Sequence, residues 1–226
     1  DTIRSVGVGA RAQIDEGLRA HMNKVYGLMS VAMVVTAGVA WGVGSSEQLF
    51  SLLRNPVTGG MTILGWIAMF LPLGMVFAFG ALINRMSASA AQLFFYAFAA
   101  AMGLSMAWIF QVFTGVSIAS TFLITAIAFA GLSLYGYVTK RDLTAMGTFL
   151  MMGLIGLLVA MVVNIFLASS ALAFAISVIG VLIFAGLTAF DTQNIKNTYI
   201  AHAQAMDQEW LGKAAIMGAL NLYLDF

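Results

Sequence analysis

From Val25 onward the chain reads as long apolar runs broken by short polar interruptions. A helix that crosses a bilayer needs roughly 20 mostly apolar residues. The first run spans Val25 to about Val43, and the polar stretch Gly44 to Gly60, with Glu47, Arg54 and Pro56, ends it. The second spans Met61 to Ile83 and stops at Asn84 and Arg85. The third runs from Ala88 to about Phe113 and the fourth from about Val116 to Val138, with only Gln111, Thr114 and Gly115 to divide them. Lys140, Arg141 and Asp142 close the fourth. The fifth covers Ala145 to Leu167, the sixth Ala171 to Phe190 ending at Asp191, and the seventh starts near Ala214 and runs to Phe226. The pattern predicts an all-α integral membrane protein, a seven-transmembrane-helix bundle over residues 25–226, behind a polar segment over 1–24. Within that segment Ile14, Leu18 and Met22 share one helical face, which predicts an amphipathic helix lying on the membrane surface. The chain opens on Asp1 and stops inside an apolar run, so both ends read as trimmed and the last helix as truncated.

Composition fixes the solvent. Hydrophobic residues make up 62% of the 226 positions and charged ones 8%. Soluble domains average about half apolar and about a quarter charged, so lipid surrounds most of this chain. The net charge of +1 matters less than its distribution. Arg4, Arg11, Arg19 and Lys24 precede the first span, and Arg85, Lys140, Arg141, Lys196 and Lys213 fall in alternate connections. Seven spans put all of these on one side and leave only Arg54 on the other. The positive-inside rule then places the N-terminus and the connection between spans six and seven in the cytoplasm. With compact length and short basic loops, this points to a bacterial inner membrane.

Several chemistries drop out. The absence of cysteine excludes disulfides, thiolate metal sites and cysteine nucleophiles. His21 and His202 lie outside the spans and lack zinc-ligand spacing, and no nucleophile-elbow, metalloprotease or phosphate-loop motif occurs. The chain therefore does not read as an enzyme. No aromatic-basic interleaving suggests nucleic acid. Gly74, Gly80, Gly103, Gly131, Gly136, Gly153 and Gly156 read as close-packing positions between helices. Pro72, inside the second span, predicts a kink or a freed carbonyl.

Charges inside spans are costly and point to function. Asp225 lies about eleven residues into the seventh span, about 16 Å deep at 1.5 Å per residue. Asp191 stands at the cytoplasmic end of the sixth, and lies within the membrane if the helix continues through Gln193 or Ile195. Asn221 and Asp225, four apart, share one helix face, and Thr188 and Asp191, three apart, share another. Sequential helices joined by one connection pack side by side, so the two carboxylates can face each other. Close carboxylates in a low dielectric share a proton and respond to pH. Carboxylate and amide oxygens are also the hard ligands that calcium takes. The bland alternatives are a solvated Asp191 at the membrane edge and a packed, hydrogen-bonded Asp225. His202, Asp207 and Glu209 read as solvated loop residues.

On these residues the chain resembles a known family. "FDTQNI" (Phe190 to Ile195) and "LNLYLDF" (Leu220 to Phe226) are similar to the two signature segments of the Bax inhibitor-1 family, also called the transmembrane Bax-inhibitor-motif family. The stretch from Gly136 to Leu167 resembles the fourth loop and fifth span of bacterial members. The resemblance implies six helices around a central seventh, and a calcium leak gated by a pH-sensing pair of aspartates, here Asp191 and Asp225. It also makes Arg85 the counterpart of a basic residue that engages the pair in the closed form. Asn221 and Thr188 are the supporting groups. The connection from Thr192 to Lys213 looks longer than in compact members.

The leading expectation is thus a passive, proton-regulated calcium leak with no bound cofactor. A protonated pair keeps helices six and seven together, and ionisation, with competition for Arg85, parts them. A second reading is a membrane-embedded regulator of a quality-control protease, contacting it through residues 1–24 and the connection between spans six and seven. A third, a proton-coupled exchanger, differs from the leak only in counter-transport.

Overall fold

The computed structural model describes the backbone of residues 2–202 and 207–226 and the side chains of residues 13–202 and 207–226. Among these residues every regular element is helical, with one isolated bridge between Arg54 and Met61. In chain order the helices are α1 (Thr2–Gly44), α2 (Glu47–Leu53), α3 (Ile63–Leu82), α4 (Ala88–Met106), α5 (Ile109–Val112), α6 (Gly115–Val138), α7 (Thr144–Leu167), α8 (Ser170–His202) and α9 (Gln208–Asp225). A 3-10 turn over Ile83–Arg85 follows α3.

Six of these segments are long and apolar enough to cross a membrane: 13–44, 63–85, 88–112, 115–138, 144–167 and 170–202. The helix α9, with 18 residues that include Glu209, Lys213 and Asp225, is not among the six. The outward faces confirm a lipid setting. Ile165 is 76% exposed and Phe166 84%, whereas Thr192 and Gln193 are buried. A soluble protein shows the reverse arrangement.

Short polar signals end the helices as the sequence suggests. The Thr114 hydroxyl accepts the Ser117 N–H at 3.2 Å, so the narrow gap between the third and fourth runs is a true N-cap. Ala168 takes a left-handed conformation, φ 47°, and the Asn164 side chain accepts the Ser169 N–H at 3.0 Å. Asn164 thus closes α7. The helix α3 continues through the buried Pro72.

Three expectations change. Residues 10–24 do not form a separate surface helix. They are part of α1, and Leu18 and Met22 are buried in the main core. His21, expected outside the spans, is buried with them, its ring 5.0 Å from that of Tyr199. The long connection expected from Thr192 to Lys213 is mostly helix, because α8 runs eleven residues past Asp191 to His202 and α9 starts at Gln208. Hydropathy stopped the span at the first charge, whereas the helix has no reason to stop there. Glycine spacing was also a mixed guide. A Cβ on Gly136 would strike the Ala189 carbonyl, and one on Gly103 would lie 2.6 Å from the Thr36 carbonyl oxygen. Gly153 would meet Ile183 Cδ1 at 3.2 Å, but Gly74, Gly80, Gly131 and Gly156 face open space.

The main core joins α1, α3, α4, α8 and α9, and a second cluster, Leu157, Ile183 and Leu187, ties α7 to α8. The helix α9 packs against α1, α4 and α8, with Ala215, Ile216, Ala219 and Leu222 almost fully buried. Its start is pinned twice. Asp207 caps it by accepting the Trp210 N–H at 2.6 Å, and Glu209 accepts the Ala88 N–H at 2.6 Å. Neither acid is a free loop residue.

Candidate functional site

The site forms where α8 and α9 run side by side. Gly218 of α9 lets Ile195 of α8 approach to 3.0 Å of where a Cβ would stand. This close approach brings the half-buried Asp191 and Asp225 together, with their carboxyl groups in hydrogen-bonding reach of one another. The second oxygen of Asp225, Oδ2, is buried without a hydrogen-bond partner. Such an oxygen is expensive to leave bare.

The remaining motif residues build the frame. Phe190 packs against Gly147 of α7. Thr192 is fully buried and its hydroxyl donates to the Thr188 carbonyl at 2.8 Å. Its one proton being used, Thr192 accepts from Ser133 of α6 at 2.9 Å, and Ser133 in turn accepts from Tyr26 of α1 at 2.5 Å. This chain has a single direction and joins α1, α6 and α8 beside Asp191. Gln193 holds the connection between α6 and α7. Its Oε1 accepts the Leu143 N–H at 2.8 Å and its amide donates to the Arg141 carbonyl at 2.7 Å. On α9, the Tyr223 hydroxyl bonds Thr36 of α1 at 2.6 Å, and Thr36 reaches the Ala99 carbonyl of α4 at 2.8 Å. The rings of Phe95 and Phe98 meet Tyr223 edge-on at 5.8 and 5.7 Å.

The other expected site residues fare differently. Asn221 is half-buried one turn before Asp225, on the face that helical spacing gives it. Thr188 does not support the pair, since its hydroxyl donates to Phe184 of its own helix at 2.9 Å. Arg85 is exposed at the end of the 3-10 turn, and the structure does not bring it to the aspartates. Among the described residues the one ion pair is Lys213 with Glu209, at 3.8 Å. The fit to a resident calcium ion is poor. Calcium takes about 6–8 oxygen ligands, and among the described residues no group of three or more acidic, histidine or cysteine side chains could hold a metal.

Sequence reasoning singled out the aspartates and passed over Tyr26, Ser133, Thr192 and Gln193. The signal lay beside them: Thr192 and Gln193 follow Asp191 directly, and a helix that continues past a charge must house its next polar residues as well.

Comparison with known proteins agrees with the helical bundle. A family model described as "Inhibitor of apoptosis-promoting Bax1" matches residues 18–226. RP147 of Rickettsia prowazekii is 45% identical over 212 residues, 94% of this chain and 86% of the relative. The inner membrane protein YbhL of Escherichia coli K12 is 43% identical over 210 residues, 93% of this chain and 87% of the relative. A membrane protein of Streptococcus pyogenes, SpyM3_0260, is 33% identical over 218 residues, 95% of this chain and 90% of the relative. With the match running from the first spanning helix through both aspartate segments, this chain is an integral membrane protein of the Bax inhibitor family.

Proposed function

We propose that the chain is a passive, pH-regulated calcium leak, without enzymatic activity or bound cofactor, with Asp191 and Asp225 as its gate. The observation that supports this is the pairing of two carboxyl groups inside a lipid-embedded bundle, one with a buried and partnerless oxygen. In this reading α9 is the seventh crossing helix and the axis of the bundle, entering from the end where α8 finishes. The distribution of basic residues supports a cytoplasmic position for that end and for the N-terminus. The relative YbhL is an inner membrane protein, and a bacterial inner membrane is the natural setting here too.

A shared proton lets the two carboxyls face each other and keeps α8 against α9. Removing it leaves two anions, which repel by about 4 kcal/mol at a separation of about 4 Å in an effective dielectric of about 20. That repulsion parts the helices, and the same two charges attract a divalent cation. Flux therefore rises as pH climbs through the titration of the pair. Calcium uptake into proteoliposomes over a pH series tests this. Asp191→Asn and Asp225→Asn should each abolish the pH dependence, and an unchanged pH profile in both refutes the gate. If the purified protein carries no calcium while residues 1–24 crosslink to a membrane protease, the regulator reading replaces it. Counter-transport of protons would instead mark an exchanger.

A further inference from the structure

A cleft of about 560 Å³ opens between α1 and α6, well within the range of about 300–1,000 Å³ typical of small-molecule sites. Arg19 and Tyr137 stand at one end and Tyr26 and Phe129 further in, with Met22 and Leu134 along its walls. The polar floor is already engaged, because Tyr26 and Ser133 belong to the hydroxyl chain that ends on α8. A water-soluble solute would find few free partners there. The mouth is different. Lys196 donates to the Tyr137 carbonyl at 2.6 Å and its ammonium lies 5.7 Å from the centre of the Tyr137 ring. Among the described residues neither Arg19 nor Lys196 has a carboxylate within ion-pair distance, although Asp15 and Glu16 lie one turn before Arg19. The cleft thus joins an apolar groove to Arg19 on its rim, with Lys196 held beside it on the rim residue Tyr137, at the end of the bundle that also carries Lys140 and Arg141. A guanidinium at the entrance is the wrong sign for a cation path.

We propose that this cleft binds an anionic phospholipid, its phosphate held by Arg19 and Lys196 and one acyl chain lying along Met22, Phe129 and Leu134. Charge complementarity selects the headgroup, and a long chain matches the apolar walls. The site is independent of how the aspartate pair operates.

The test uses the full chain in liposomes. The sequence has no cysteine, so Leu134→Cys gives one attachment point for a fluorophore on the cleft rim. Phe149→Cys, 73% exposed near the same end of α7, is the reference. Acyl-chain-quenching phosphatidylglycerol and phosphatidylcholine are then compared. At position 134 the anionic lipid should quench with roughly tenfold preference, and at 149 the two should be nearly equal. Arg19→Gln with Lys196→Gln should flatten the preference. Ala130→Trp, which fills the cleft and leaves both cations in place, should abolish close quenching at 134. Equal quenching by both lipids at 134, the same preference at both positions, or a preference that survives both variants overturns the proposal. So does loss of the preference on adding inorganic phosphate at matched ionic strength, since the site would then be one for a free anion.

Discussion

Gln193 offers the sharpest test of how the aspartate helix is held in place. Its side chain is 5% exposed and carries two hydrogen bonds to the connection between α6 and α7. Gln193→Met keeps most of the volume and removes both bonds. The Leu143 N–H is then left buried, in a residue only 5% exposed, at about 1–3 kcal/mol for an orphaned buried donor. The Arg141 carbonyl belongs to an exposed residue and can turn to water, so its loss costs about 0.5–1 kcal/mol. The total is about 1.5–4 kcal/mol. The neighbouring Asn194 is exposed, so Asn194→Leu should stay within about 0.5 kcal/mol. Unfolding by sodium dodecyl sulfate in mixed micelles compares the two variants against the parent. If Gln193→Met costs no more than Asn194→Leu, the clamp holds nothing and the frame around Asp191 must be rebuilt on other contacts.

Other outcomes follow from the same geometry. Gly136→Val should destabilise by about 2 kcal/mol or more because its Cβ would meet the Ala189 carbonyl, whereas Gly131→Val faces open space and should be nearly neutral in the same assay. Ser133→Ala interrupts the chain from Tyr26 to Thr192 and should cost about 1–2 kcal/mol, with Tyr26→Phe costing less because the Tyr26 hydroxyl is only partly buried. Asp142, in the connection outside the spans, has its carboxyl held below the usual range by the Thr144 hydroxyl and then by the Thr144 N–H. A lowered folded-state value means its contribution is present above the ordinary aspartate range and is lost as pH falls through the lower folded value. Carbon-detected NMR titration of Asp142 should therefore give a midpoint below that of a free aspartate, and Thr144→Ala should move it back up.

Six spanning helices were legible because lipid simplifies the code: apolar length carries most of it. Two kinds of feature were not. Helix ends were misplaced wherever a charge fell inside a continuing helix, as at Asp191 in α8 and along Leu18 to Lys24 in α1. Hydropathy measures where lipid ends, not where hydrogen bonding does. The pairing of Asp191 with Asp225 was legible because each is a costly charge on adjacent helices. Its frame was not, since nothing in the pattern tells that Gln193 reaches back fifty residues to Leu143, or that Thr192 meets Ser133. Arg85, expected from the resemblance, and Thr188, expected from helical spacing, were not brought to the pair. One is exposed and the other bonds its own helix, although both lie where a partner of the pair was expected.

The gate itself is best tested by recording helix separation and flux in the same proteoliposomes. Spin labels at Asn194→Cys on α8 and Leu224→Cys on α9, both exposed positions in a chain without cysteine, report the distance across the pair. Raising the pH should lengthen that distance and increase calcium flux over the same interval, and Asp225→Asn should hold both constant. Flux that changes with pH while the distance stays fixed, or an Asp225→Asn protein that still opens, contradicts the account.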